Sequence, residues 1–235
     1  MEKIIHLAAK AGVRPSILDP IGYKIANIDG TLHLLELAKK YDVANFLFAS
    51  SSSVYGDCAT VPFSETMRVD FQVSPYAATK RMGELLCKTY SHLHAIPLTC
   101  LRFFTVYGPR GRPDMAPFIF TDRIALEKTI TLFGDGSTRR DYTYVSDIVS
   151  GILLALDKPQ SFAIYNLAKG ETTSLAEFVA VIERVVGKKA IIERKALFPG
   201  DVMQTYGDIS KAQKELGYDP KVSVADGMQR FYLWY

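Results

Sequence analysis

A tyrosine and a lysine stand four residues apart in the segment Tyr76-Ala77-Ala78-Thr79-Lys80. Side chains at positions i and i+4 of a helix lie on the same face, so a helix here would place the Lys80 ammonium one turn from the Tyr76 phenol. A nearby positive charge favours the phenolate and lowers the pKa of the phenol from about 10 toward neutrality. Such a tyrosine can accept a proton from an alcohol near pH 7. A two-residue pattern also arises by chance, so this interpretation needs a second feature.

Four consecutive serines, Ser50 to Ser53, supply that feature directly after an apolar run at 45–49. Ligands of open α/β sheets bind beyond the carboxyl ends of the strands. Serine also serves in turns and helix caps, and alone this run is typical of a polar loop. It precedes Tyr76 by about 25 residues. Together with Tyr76 and Lys80, this run resembles the Ser–Tyr–Lys arrangement of short-chain dehydrogenases, in which a serine hydroxyl hydrogen-bonds the reacting oxygen while the tyrosine moves its proton.

Arginines cluster in two later segments, 101–115, which also contains glycine, proline and aspartate, and 139–147, which also contains aspartate. The planar guanidinium fork of arginine suits phosphate and carboxylate groups. Arg112 and Arg140 are therefore candidates for ligand binding, with solvated surface cations as the alternative. Arg102 lies inside an apolar strand, which favours a structural role.

The elements that must position these residues alternate between strand and helix. Apolar runs predict strands at 3–7, 45–49, 97–104, 130–133, 162–167 and 189–193. Helical spacing of apolar residues predicts helices at 27–41, 76–93, 146–156 and 224–235, and a long loop is expected at 107–117. Ser146 is a candidate N-cap, and Ser174 with Glu177 forms a capping box before a helix that ends at Gly187. The alternation predicts an α/β fold, a parallel sheet with helices on both faces.

The composition is that of a globular protein. Of the 235 residues, 48% are apolar and 23% are charged, and the net charge is +3. This balance argues against nucleic-acid or membrane binding. Cys58, Cys87 and Cys100 are odd in number and lack C-x-x-C spacing, so we expect no disulfide framework, no metal site and a cytoplasmic location. No apolar run approaches the roughly 18 residues of a membrane span, and we expect no signal peptide.

Several strings in the chain resemble, in family order, the extended short-chain dehydrogenase/reductase family, and within it the NAD-dependent sugar-nucleotide epimerases. The likeness is strongest to those that act on UDP-glucuronate. The strings are HLAAKAGVR, NIDGTLHLLE, FASSSSVYGD, SPYAATK, LRFFTVYGPRGRPDM, FGDGSTRRDYTYVSDIV, YNLAKGE and PGDVMQTYGDISKA. The resemblance implies a partial Rossmann-like, doubly wound parallel sheet, formed by 1–107 and 142–168, that binds NAD. It implies a smaller α/β lobe, formed by 108–141 and 169–235, that binds the nucleotide sugar.

The resemblance also implies roles for the residues at the strand ends. Tyr76 removes the proton from the sugar 4-hydroxyl while hydride passes to the nicotinamide, and the hydride returns to the other face of the 4-keto sugar. Lys80 keeps Tyr76 acidic and holds the nicotinamide ribose, and Ser51 hydrogen-bonds the 4-oxygen. The residues expected to bind NAD are Ala8, Ala9, Asn27, Tyr76 and Lys80.

The substrate side follows from the same resemblance. Family members that dehydrate or decarboxylate the sugar generally carry an acidic residue in the segment matching 51–53, whereas this chain has only hydroxyls there, which favours simple 4-epimerisation. Hydroxyls and arginines are expected to hold the uronate carboxylate, and Arg112 with Arg140 the diphosphate region. The substrate-binding candidates are Ser52, Ser53, Thr105, Arg14, Arg112, Arg140 and Asp201. Phe198 stands where the family often has a polar residue, which puts one nucleotide contact in doubt.

The glycine-rich turn that binds the dinucleotide pyrophosphate is not found in this sequence. None of the sixteen glycines forms G-x-G-x-x-G or G-x-x-G-x-x-G. The resemblance begins at about Lys3, at the fourth strand of the parent fold, so on the order of 70–90 residues with the first three strands are expected to be missing. We therefore expect the isolated chain to bind NAD poorly and the strand at 3–7 to be an exposed edge.

Other functions stay open. A truncated, non-catalytic remnant would bind a UDP-sugar or a partner subunit, and an in-frame glycine-rich turn upstream of Met1 would argue against it. Within the family, UDP-glucose or an N-acetylhexosamine is an alternative sugar. A nucleic-acid binder has only the mildly basic composition in its favour. The resemblance implies a homodimer through the helices at about 20–41 and 76–93.

Overall fold

The structure is a computed structural model that describes residues 2–196 and 202–235. A four-stranded parallel sheet lies at its centre, in the order β1–β2–β3–β8. These strands are β1 (Lys3–His6), β2 (Asn45–Ser51), β3 (Leu98–Phe103) and β8 (Phe162–Leu167). All four point the same way, so their carboxyl ends lie at one edge of the sheet, where Ser50 pairs with Arg102 and Arg102 with Asn166.

Shorter strands and the helices complete the described chain. The strand pairs are β4 (Thr105–Tyr107) with β7 (Tyr142–Tyr144), β5 (Ile130–Phe133) with β10 (Ile192–Lys195), and β6 (Arg139–Arg140) with β9 (Thr173–Ser174). The helices are α1 (Val13–Leu18), α2 (Pro20–Tyr23), α3 (Gly30–Lys40), α4 (Pro75–His94), α5 (Ala116–Ala125), α6 (Val145–Asp157), α7 (Leu175–Val186), α8 (Ser210–Leu216) and α9 (Val224–Trp234). A π-helical stretch, Lys24–Asp29, joins α2 to α3, and a 3₁₀ turn, Ser52–Tyr55, follows β2.

Helices cover both faces of the sheet, as the alternation of strands and helices predicts. Side chains of a strand point alternately to its two faces. Phe46 and Phe48 of β2 pack with α3 and α4, whereas Leu47 packs with Ile148 and Ile152 of α6 and with α8. The predicted α/β class with a parallel sheet is confirmed.

A second apolar core gathers the elements around β5 and β7. It is centred on Phe178, whose ring stacks on that of Tyr142 at a centroid distance of 4.1 Å. The predicted division into two lobes stays a prediction, and two details bear on its boundaries. Tyr142 and Tyr144 pack in this second core, whereas Leu216 and Tyr218 pack against the parallel sheet.

Helix α4 carries the Tyr–Lys pair, and local sequence determines where it begins and how it packs. The Ser74 side chain caps its start by accepting the Ala77 N–H, and Pro75 occupies the first turn, where a proline costs no hydrogen bond. Gly83 lies against β2 so closely that a Cβ there would come within 2.3 Å of the Phe48 ring. This absence of a side chain sets how closely α4 approaches the sheet.

Most predicted elements are confirmed, and some are wrong in detail. The strands at 130–133 and 162–167, the capping box at Ser174 and the left-handed Gly187 are as expected. Ser146 does not cap α6, because the chain enters that helix directly from β7 and Tyr144 is the capping residue. The strand expected at 189–193 is Ile192–Lys195 instead. Part of the expected loop at 107–117 already belongs to α5, since Pro117 sits in its first turn. In residues 2–196 and 202–235, no helix combines the length and apolar character needed to cross a bilayer.

Candidate active site

Tyr76, Lys80 and Ser51 meet at the carboxyl end of β2. Tyr76 and Lys80 lie one turn apart in α4, and the Ser51 hydroxyl lies close enough to the Tyr76 phenol to lower its pKa. Ser51 is the last residue of β2, and its Oγ also accepts the N–H of Ser53, 3.2 Å away. The structure therefore brings together the three residues predicted to be catalytic.

The electrostatics of this trio differ from the expectation. Burial raises the pKa of Tyr76, and the hydrogen bond from Ser51 and the charge of Arg112 oppose that rise. The Lys80 ammonium donates to the Ala49 carbonyl oxygen, 2.7 Å away, and burial lowers its pKa to about 8. The lysine faces the strand backbone, and the charge that lowers the pKa of Tyr76 is that of Arg112. The role expected of Lys80, to keep Tyr76 acidic, stays a prediction.

Arg112 is a predicted arginine whose charge acts on Tyr76 of the trio. Its exposed guanidinium forms an ion pair with Asp114, with Nε 3.0 Å from the carboxylate, and packs against Gly12. Its charge also lowers the pKa of Tyr23, although burial of that phenol outweighs the effect.

The other predicted substrate residues lie on several different elements. Arg14, in α1, covers the Phe133 ring at 4.7 Å from its centroid. Arg140 donates to the carbonyl oxygens of Arg139 and Met203. Ser52 and Ser53 begin the 3₁₀ turn, partly buried, and Thr105 opens β4. Asp201 and Phe198 lie outside the described residues.

The loop after β1 bears the predicted cofactor contacts. Ala8 and Ala9 are exposed there, at the carboxyl edge of the sheet. The buried Asn27 amide accepts the Lys10 N–H at 2.8 Å and donates to the Lys10 carbonyl and to Thr79 Oγ1. Asn27 thus ties the loop to α4 from within the π-helical stretch, a feature often found at functional sites.

The residues present fit part of a nicotinamide cofactor site. Lys80 carries three N–H donors, of which the Ala49 carbonyl takes one, and the others suit ribose hydroxyls. The Tyr76 hydroxyl lies on the same face of α4. Among the described residues, no group of three or more His, Cys, Asp or Glu side chains is arranged to hold a metal ion.

His6, at the end of β1, is a buried neutral imidazole. Thr31 Oγ1 donates to the Asn27 carbonyl, so His6 Nε2, 2.9 Å away, is the donor to Thr31. Its Nδ1 is buried without a partner in the part of the chain that the structure describes. Burial, and then the charge of Lys80, lower the pKa of His6 to about 4.

We expect the variant His6→Gln to lose less stability in acid than the wild-type protein does. The folded pKa of His6 is about 4 against 6.5 when unfolded. Between these values the unfolded chain binds a proton that the folded chain does not, so the free energy of unfolding falls by up to about 3 kcal/mol as the pH drops. Glutamine keeps a donor for Thr31 and does not titrate. Thermal unfolding at pH 7.5 and 4.5 measures the difference, with the exposed His33→Gln as control; equal acid losses in the wild type and His6→Gln would contradict this account.

Sequence reasoning misses two buried carboxylates, Glu84 and Asp141. Asp141 is fully buried, and its oxygens accept the N–H groups of Lys169 at 2.7 Å, Gly170 at 3.1 Å and Gly207 at 3.4 Å. Burial raises the pKa of Asp141 to about 6 against the opposing effect of these donors. The only sequence signal is a carboxylate placed directly before the alternating aromatic residues of β7.

Comparison with known proteins places this geometry in context. The family described as GDP-mannose 4,6 dehydratase matches residues 1–231. The UDP-glucuronate 4-epimerase of Thermodesulfobacterium geofontis is 46% identical over 232 residues, which cover 98% of this chain and 71% of that protein. The crystal structure of a Bacillus cereus UDP-glucuronic acid 4-epimerase with UDP-glucuronic acid and NAD has a TM-score of 0.95 and 38% identity, over 100% of this chain and 75% of that one. A Thermotoga maritima UDP-glucose 4-epimerase with UDP-glucose has a TM-score of 0.94 and 33% identity, over 99% and 76%.

Proposed function

The chain belongs to the GDP-mannose 4,6 dehydratase family, and from this premise we propose that it catalyses the NAD-dependent 4-epimerisation of a UDP-sugar, converting UDP-glucuronate to UDP-galacturonate. One observation carries the proposal: Ser51, Tyr76 and Lys80 converge at the carboxyl end of β2. The relatives named above act on or bind UDP-sugars, and two of them are UDP-glucuronate epimerases. The fold is accordingly of the Rossmann-like kind that the resemblance implies.

In the mechanism that follows, Tyr76 handles the proton at the sugar 4-oxygen. The phenolate removes the 4-hydroxyl proton and returns it after the 4-keto sugar has rotated. Ser51 donates a hydrogen bond to the same oxygen, and the Arg112 charge favours the phenolate against the cost of burial. Lys80, held by the Ala49 carbonyl, offers its remaining N–H groups to ribose hydroxyls. Bound NAD supplies acceptance and return of the hydride at sugar carbon 4.

The proposed preference for a uronate rests on hydroxyl groups rather than on a carboxylate. Ser52 and Ser53 directly follow Ser51, Thr105 opens β4, and all three are partly exposed. Hydroxyl donors can hold a carboxylate in a fixed orientation. A fixed carboxylate discourages loss of CO₂ from the 4-keto uronate.

We expect the triple variant Ser52→Ala, Ser53→Ala, Thr105→Val to lose activity on UDP-glucuronate selectively. Hydrogen bonds to charged groups contribute about 1.5–3 kcal/mol each, so kcat/KM should fall by roughly 10²-fold or more. Activity on UDP-glucose should change far less, because that sugar has no carboxylate. Full activity on UDP-glucuronate would reject the assignment of these hydroxyls.

The direct test is to incubate the protein with NAD and UDP-glucuronate and to follow UDP-galacturonate by NMR. NAD is supplied in millimolar excess, because the sequence has no glycine-rich G-x-G-x-x-G turn. A parallel reaction with UDP-glucose distinguishes the two sugars. Saturable binding of the UDP-sugar without turnover would favour the non-catalytic remnant, and stoichiometric NAD in the purified protein would contradict the expectation of weak cofactor binding.

We also infer a homodimer formed through α3 and α4, in the cytoplasm. The cytoplasmic placement is supported by Cys58, Cys87 and Cys100, which are all free thiols. The two helices lie side by side, joined by a hydrogen bond from Tyr90 to Glu36. Each leaves large apolar side chains exposed, and these are Ile21, Ile25 and Leu37 on the α2–α3 run and Met82, Leu85 and Leu93 on α4.

Leu85→Glu is expected to weaken this dimer. A carboxylate buried without a partner is costly, so the dissociation constant should rise at least about tenfold. Sedimentation velocity across a concentration series measures it. Leu126→Glu, which changes a similarly exposed leucine directly after α5, is the matched control, and unchanged sedimentation of Leu85→Glu would refute the proposed interface.

A further inference from the structure

A buried ion pair between Glu84 and Arg102 joins α4, the helix of the Tyr–Lys pair, to β3, and the same carboxylate is bonded to Ser50 of β2. Glu84 lies on α4 one turn beyond Lys80, and its side chain is wholly buried. It accepts hydrogen bonds from Arg102 Nε at 2.8 Å and Nη2 at 2.9 Å, and from Ser50 Oγ at 2.6 Å. Arg81, on the helix surface, adds a fourth donor at 3.1 Å. The carboxylate thus connects α4, β2 and β3.

The charges of this pair are balanced within the core. Burial raises the pKa of Glu84. The hydrogen bonds and the charge of Arg102, together with the hydrogen bonds from Ser50 and Arg81, outweigh burial and hold this pKa below its usual value. Glu84 in turn raises the pKa of Arg102. The Arg102 guanidinium also lies 4.8 Å from the centroid of the Tyr55 ring, whose hydroxyl donates to Asn166 of β8. The partner of Glu84 is therefore packed on a tyrosine that is itself held by β8.

The end of β2 contacts α4 at three places. Ala49, Ser50 and Ser51 are consecutive residues of β2. The Ala49 carbonyl accepts a hydrogen bond from Lys80, the Ser50 hydroxyl donates to Glu84, and the Ser51 hydroxyl lies close enough to Tyr76 to lower the pKa of its phenol. The α4 partners are spaced four residues apart on one face of the helix. A shift of α4 along β2 would disturb all three contacts at once.

Stability alone does not account for such a pair. Apolar residues of similar volume often replace a buried ion pair without loss of stability, since desolvation offsets most of the attraction. Hydrogen bonds have a fixed length and direction, so they hold a helix in one position more strictly than apolar packing does. Catalytic side chains need this precision, because a misplacement of about 1 Å can cost 10²-fold in rate.

We propose that Glu84 and Arg102 are positioning residues: they fix the register of α4 on β2 and thereby the contact between Ser51 and Tyr76. Neither side chain is assigned to the substrate. The expected effect on rate rests on the proposed function. The geometric part, that the ion pair fixes the register of α4 on β2, does not depend on it.

The test compares the Ser51–Tyr76 contact with and without the ion pair. The double variant Glu84→Leu/Arg102→Met keeps the net charge and approximate volume. The readout is the ¹³Cζ chemical shift of Tyr76 in protein labelled at tyrosine, assigned by the signal lost in Tyr76→Phe. This shift reports the hydrogen bonding of the phenol and requires no turnover. In the wild-type background, Ser51→Ala should change the ¹³Cζ shift of Tyr76. In the double-variant background, the same substitution should change this shift by less than half as much.

A kinetic readout accompanies the spectrum. In the double variant, kcat for UDP-glucuronate should fall about tenfold or more while KM stays nearly constant. Arg81→Met removes the surface partner of Glu84 and is the matched control, for which both readouts should remain at the wild-type level. Circular dichroism and thermal unfolding establish that each variant is folded. If the double variant does not fold, Glu84→Gln, which keeps the size and removes the charge, takes its place.

The outcomes separate this inference from the proposed function. An undiminished effect of Ser51→Ala on the Tyr76 signal, in a folded variant without the ion pair, would overturn the positioning role. A wild-type protein that does not turn over UDP-glucuronate would refute the proposed function, while the spectroscopic comparison would still decide the role of Glu84 and Arg102.

Discussion

Tyr76→Phe is expected to lower kcat for 4-epimerisation by about 10³-fold, because the variant has no phenol to accept the 4-hydroxyl proton. The ring and its packing remain, including the edge-on contact with Tyr23 at a centroid distance of 6.2 Å. KM for UDP-glucuronate should change little, since the lost interaction acts on the reacting oxygen. Initial rates measured by NMR with saturating NAD give both constants.

The control for Tyr76→Phe is the same change at a tyrosine remote from the trio. Tyr232 lies in α9, where its ring stacks on that of Tyr235, and Tyr232→Phe should retain wild-type turnover. A Tyr76→Phe variant with more than about a tenth of the wild-type kcat would remove Tyr76 from the proposed role, because general acid–base catalysis is worth at least 10².

Asp141→Asn is expected to destabilise the protein by about 2–4 kcal/mol. Both oxygens of Asp141 accept backbone N–H groups, from Lys169 on one and from Gly170 and Gly207 on the other. An asparagine has a single acceptor oxygen, so its NH₂ group would face N–H donors and leave buried polar atoms unpaired. Urea unfolding at pH 7 measures the loss.

Asp135→Asn is the matched control for Asp141→Asn. The exposed Asp135 also accepts a backbone N–H, from Ser137, but water can replace that bond, so the expected loss stays below about 1 kcal/mol. Equal losses in the two variants would show that Asp141 does not hold these loops together. Gly207 lies on the segment that follows residues 197–201, which include the predicted substrate residue Asp201. We therefore also expect the Asp141→Asn variant to bind the UDP-sugar more weakly.

What the sequence alone determined is local. The start of α4, the spacing of Tyr76 and Lys80, and the serines after β2 depend on side-chain chemistry and on periodicity within a few residues. The capping box at Ser174 is of the same kind. These features could be predicted because a helix or strand carries its own signals, and the order of the motifs then indicated the family.

Only the tertiary structure decided which groups act on one another. Lys80 donates to the Ala49 carbonyl, the charge of Arg112 acts on Tyr76, and Glu84 bonds to Arg102. Each of these contacts joins segments between 18 and 36 residues apart. They arise because β2, β3 and β8 end at one edge of the sheet and because Gly83 lets α4 approach it closely. Burial then sets the pKa values of the site, and burial is a property of the packed chain that no local pattern of residues contains.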